Sequence, residues 1–75
     1  MIRSIGELDY FILRTADLEG LTKNDFIQFT INGCTFKILV SIILDRFENS
    51  VDWNKNGVHK QSGSIPKWII EANQE

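Results

Sequence analysis

Two alternating runs meet at Asn32-Gly33, and no other feature of the chain so restricts how it folds. Ile27, Phe29 and Ile31 alternate with Gln28 and Thr30 before the pair. Cys34, Phe36, Ile38 and Val40 alternate with Thr35 and Lys37 after it. Asn-Gly is the preferred connection of a type I′ hairpin, because both turn residues need positive φ. A two-residue turn sets Ile31 opposite Cys34, Phe29 opposite Phe36 and Ile27 opposite Ile38, all on one face. Thr30–Thr35 and Gln28–Lys37 fall on the other. Apolar and polar cross-strand pairs of these kinds stabilise a sheet. Turn chemistry and register therefore agree on a hairpin over 26–40, with Cys34 as a small core-side residue at its end.

The segment "LDYFILR", residues 8–14, reads as a second strand. Tyr10 and Ile12 share one face, Phe11 and Leu13 the other, and aromatic and β-branched content supports it. Apolar residues on both faces suit a central position in a sheet. "TADLEGLTKND" follows as a loop or one helical turn, punctuated by Gly20 and Asn24-Asp25.

After the hairpin two patterns compete. Phe36, Leu39, Val40, Ile43, Leu44 and Phe47 fit the i, i+3, i+4, i+7 spacing of a helix. The β-branched Ile38, Val40, Ile42 and Ile43 favour a strand. Continuation of the strand through "SIILDRFEN" is the expectation, and a short helix over 41–48 the alternative. Asn56-Gly57 marks a second turn, in a short hairpin or an exposed loop. Pro66 then suits the first turn of a helix, where its missing N–H costs nothing. Ile65, Trp68, Ile69 and Ala72 line one face of a helix over 65–74. So short a helix holds only if Trp68 packs on something.

These elements predict an α+β fold in a single domain, 1–75. A small antiparallel sheet has hairpin 26–40 at its centre and strand 8–14 beside it, with the C-terminal helix packed on one face. A small SH3-like or OB-like barrel is the alternative. A chain of 75 residues buries only about 60% of its unfolded surface. The aromatic residues and the many isoleucines must therefore supply most of the stability.

Composition narrows function mainly by exclusion. The net charge of -2 argues against a protein that coats nucleic acid. One cysteine makes no internal disulfide, which fits a cytoplasmic location. The longest apolar run, Ile38 to Leu44, is too short to span a bilayer, and no secretory signal precedes it. Frequent Ile and Asn with only two Ala match AT-rich coding, as in many phages.

No catalytic or metal-binding set emerges. A Cys34 nucleophile needs a histidine and an orienting group; His59 and Asp52 are the residues available, and nothing in the sequence joins them. One Cys and one His do not complete a zinc site unaided. No cofactor or metal is expected, and no enzyme. A helix-turn-helix centred on Gly33 would need a small residue four positions earlier, where Phe29 stands.

The most suggestive segment runs from Trp53 to Trp68. It carries Lys55, His59, Lys60 and Lys67 with no acidic residue between its two tryptophans. Residues 1–52 hold five basic and eight acidic side chains, whereas 53–75 hold three and two. Trp53, Lys55, His59, Lys60 and Lys67 are therefore the expected partner-binding residues. The bland reading is a polar loop whose tryptophans face the core. The expected function is a small non-enzymatic protein-binding module, of the kind phage- or mobile-element-type regulators and inhibitors supply, acting on a larger protein partner. The alternative is a weak nucleic-acid-binding regulatory protein using 53–68, where basic groups interleaved with aromatics track phosphates and stack bases. Pairing of an open hairpin edge would add a homodimer.

Overall fold

The computed structural model describes residues 1–8, 11–61 and 65–73. Strands β1 (Ile2–Leu8), β2 (Phe11–Arg14), β3 (Phe26–Ile31), β4 (Cys34–Leu39) and β5 (Val58–Gln61) accompany helices α1 (Val40–Phe47), α2 (Val51–Asn56) and α3 (Lys67–Ala72). A single 3-10 turn, Thr15–Leu18, follows β2. Among the described residues the strands form two sheets, β1-β3-β4 and β2-β5, and no closed barrel. The fold is α+β.

The hairpin has the expected register. Ile27 faces Ile38, Phe29 faces Phe36 and Ile31 faces Cys34. Asn32 at φ 51° and Gly33 at φ 81° supply the two left-handed turn residues. Ile27, Phe29, Ile31, Phe36 and Ile38 are buried. On the opposite face the Thr30 and Thr35 hydroxyls hydrogen-bond at 2.9 Å. Cys34 departs from expectation: it is exposed. Its cross-strand partner Ile31 is buried, so the core covers one side of this pair and not the other.

The expected antiparallel sheet is instead mixed, because β1 lies parallel to β3. A parallel pair needs a long crossover, and residues 9–25 are long enough to make one. β1 follows no simple alternation. A bulge between Ser4 and Glu7 shifts its register against β3, so that Ile5 and Leu8, three apart, both pack on the core. The expected strand 8–14 is thereby divided. Leu8 ends β1, while Phe11–Arg14 pairs antiparallel with β5 in the second sheet. Asp9 and Tyr10 lie outside the described residues. β3 is central in its sheet, and β4 is an edge.

The segment after the hairpin is helical rather than extended. Val40, Ile43 and Phe47 are buried on one side of α1, while Asp45 and Arg46 face solvent. A strand would put Ile43, Asp45 and Phe47 on one face and bury a carboxylate between two apolar groups. Segregation of charge overrides β propensity here. The Val40 amide donates to the Asp25 carbonyl at 2.9 Å, which fixes where the chain leaves the sheet.

Asn56-Gly57 closes a helix rather than a hairpin. Ser50 precedes α2, and Gly57 at φ 68° ends it, its amide bonded to the Trp53 carbonyl at 2.9 Å. α3 is shorter than the expected 65–74, but it begins directly after Pro66 and buries the expected face around Ile69. It lies beside β4. The Lys37 amide, which points away from β3, donates to Asn73 Oδ1 at 2.9 Å. The hairpin edge expected to stay open is therefore partly covered. No helix among the described residues is long and apolar enough to cross a membrane.

Candidate functional site

Phe47, at the last turn of α1, organises the described part of the Trp53–Trp68 segment, of which 62–64 lie outside the described residues. It is fully buried. Its ring meets Trp53 at 5.0 Å, Trp68 at 6.0 Å and Phe11 at 6.0 Å, centroid to centroid. Such tilted and edge-to-face pairs add about 0.5–1.5 kcal/mol each beyond their buried area. α2 brings Trp53 to this ring, and β5 brings His59.

The His59 imidazole stacks on Phe47 with centroids 4.1 Å apart and planes 11° from parallel. It stands edge-on to Phe11 at 5.7 Å. Opposite it in the β2–β5 pair is the buried Leu13. Both ring nitrogens are shielded from solvent without a hydrogen-bond partner among the described residues. An unmade buried hydrogen bond of this kind costs about 1–3 kcal/mol. Burial holds the His59 pKa below the ordinary 6.5, against a smaller opposing pull from Asp52. His59 is thus a neutral member of the aromatic cluster. Cys34 stands exposed at the hairpin end, and neither it nor Asp52 hydrogen-bonds to the imidazole.

The lysines project from three different elements. Lys55 is exposed on the last turn of α2. Lys60 is exposed on β5, opposite Ile12 and on the face away from His59. Lys67 is exposed on α3, 3.8 Å from Glu71 in an i, i+4 pair. The tryptophans are half-buried, and the Trp68 ring carries the Arg46 guanidinium at 5.8 Å. Trp53 and His59 therefore meet through Phe47, while the three lysines stand apart from that cluster.

Trp53 also turns toward solvent. With Leu44 it forms the apolar part of a cleft of about 270 Å³, whose other lining residues are Lys23, Glu48 and Asn54. Leu44 and Glu48 stand one turn apart at the end of α1, where the Glu48 amide donates to the Leu44 carbonyl at 2.9 Å. Lys23 reaches the cleft from the loop before β3. Sequence reasoning singled out Trp53 alone of these five. The i, i+4 relation of Leu44 and Glu48 is a usable signal once 40–47 is read as helix. Lys23 carries none, because only the tertiary fold brings its loop to α2.

Among the described residues, no three His, Cys, Asp or Glu side chains gather as a metal site would require. No protein-family model matches the chain, and neither a curated protein nor a solved structure shows detectable similarity to it.

Proposed function

We propose that this chain is a non-enzymatic protein-binding module that docks on a larger protein partner, in the manner of small phage- or mobile-element-type regulators and inhibitors. The observation that carries this reading is the Trp53 cleft. It offers an indole and a leucine as apolar walls, with one cation, one carboxylate and one amide around them. That mixture suits an inserted side chain whose neighbours pair with Lys23 and Glu48. Aromatic anchors and pockets at the centre of an interface carry most of its energy. One helical turn before Asn54, the first residue of α2, Val51, leaves 77% of its surface in solvent. A standard interface takes about 800 Å² from each partner, roughly a sixth of the 4839 Å² surface here.

The test fills the cleft without disturbing the core. Asn54 is exposed, so Asn54→Arg blocks the cleft, and Lys23→Glu reverses its cation. Immobilised wild-type protein should retain a partner from extracts of the source cell in near-equal amount, and both variants should lose it. Retention by both variants would sink the cleft as the contact. Binding to DNA or RNA oligonucleotides that weakens steeply with salt, and is lost in a Lys55/Lys60/Lys67 triple alanine variant, would favour the nucleic-acid alternative.

A further inference from the structure

We infer that His59 is a proton-operated latch, whose protonation releases β5 and α2 from Phe47 and so opens the wall of the Trp53 cleft.

The geometry carries the argument. A neutral imidazole tolerates the face of Phe47 at 4.1 Å and the edge of Phe11 at 5.7 Å. An imidazolium needs partners for two N–H donors, and neither nitrogen has one among the described residues. Charging the ring therefore requires it to reach water. Packing alone does not call for a histidine here: a leucine or phenylalanine would fill the site without an unmade hydrogen bond. What the imidazole adds is a charge that appears in the mildly acidic range.

The surroundings offer little to hold the charge in place. From β2 the neighbours are Phe11 and Leu13, and from α1 Phe47, all apolar. Asp52 on α2 is the charged group acting on the ring, and its pull is weaker than the effect of burial. On the neighbouring strand Arg14 is exposed, and Arg46 of α1 lies over Trp68. Lys60 stands on the other face of β5. The movement is local because, among the described residues, β5 pairs only with β2, and α2, joined to β5 through Gly57, packs against it and moves with it. Trp53 and His59 touch the same Phe47 ring, so loss of one stack disturbs the other.

The latch is a property of the free protein and stands whether or not the cleft binds a partner. Its test is an NMR titration of the full chain from pH 8 to pH 4.5, following the His59 ring and the Trp53 indole N–H. His59 should titrate below 6.5. The Trp53 signal should shift, and amide exchange over Val58–Lys60 accelerate, with the same midpoint. In His59→Leu the Trp53 signal should stay constant across the range. Titration of His59 at or above 6.5 overturns the latch, as does a Trp53 shift that persists in His59→Leu. The wild-type titration decides the matter even where the variant fails to fold.

Discussion

The imidazole of His59 lies almost flat on the ring of Phe47, 4.1 Å away and 11° from parallel, and neither nitrogen has a hydrogen-bond partner among the described residues. A half-buried imidazole whose nitrogens are shielded in the fold, and which is free to charge in the unfolded chain, makes stability depend on pH. Its folded pKa lies below the unfolded value near 6.5. The unfolded state therefore binds the proton first, and His59 destabilises the fold as pH drops through 6.5 toward the folded value. Urea unfolding should show a lower midpoint at pH 5 than at pH 7.5. His59→Leu should remove that difference and raise stability at both, by about 1 kcal/mol or more, because it removes an unmade buried hydrogen bond. A wild-type midpoint independent of pH over this range would contradict it.

Phe47 is the residue whose loss the fold withstands least. It is fully buried and touches four rings from four other elements. Truncating a buried phenylalanine to alanine costs about 3–5 kcal/mol. A domain of this size holds roughly 5–10 kcal/mol in all. Phe47→Ala should therefore lower the thermal midpoint by many degrees and reduce near-ultraviolet circular dichroism, whereas Phe47→Leu should keep the fold at a smaller loss.

Gly33 and Cys34 are adjacent but should respond unequally. Gly33 holds φ at 81° with open space around it, so the cost of a side chain is backbone strain rather than collision. Gly33→Val should destabilise by about 1–2 kcal/mol, the cost of a left-handed residue. Cys34→Ala removes an exposed thiol and should change stability by less than about 0.5 kcal/mol. Loss of function in folded Cys34→Ala would mean that the thiol does chemistry this structure does not suggest.

Gly57 combines strain with collision. It sits at φ 68°, and a Cβ there would meet Thr15 Cγ2 at 3.1 Å and Oγ1 at 3.2 Å. Its carbonyl also accepts the Thr15 amide at 2.9 Å, which ties the end of α2 to the end of β2. Gly57→Ala should destabilise, and the loss should be smaller in a Thr15→Ala background. Equal losses in the two backgrounds, measured as a double-mutant cycle in urea, would show that strain alone matters.

What the sequence determined by itself is local. Asn32-Gly33 imposes its turn, the turn imposes the pairing from Ile27–Ile38 to Ile31–Cys34, and Pro66 with the Trp68–Ile69 face marks the last helix. Each is decided within a few residues, by φ preferences and by the need to hide apolar groups on one side. The tertiary structure decided the rest. Val40–Phe47 became a helix because that separates Asp45 from Ile43 and Phe47, a choice made by what the core accepts. β1 became a parallel neighbour of β3 because the long crossover and the bulge after Ser4 bring Ile5 and Leu8 onto the core together. The segment from Trp53 to Trp68 was visible as basic and aromatic, but not its partition: lysines outward on three elements, His59 inward on Phe47. Lys23 joins Trp53 through contacts between chain segments far apart in sequence, and no local pattern encodes them. Local rules specify turns and faces, whereas long-range packing specifies which faces meet, and the cleft and the buried imidazole are both products of that meeting.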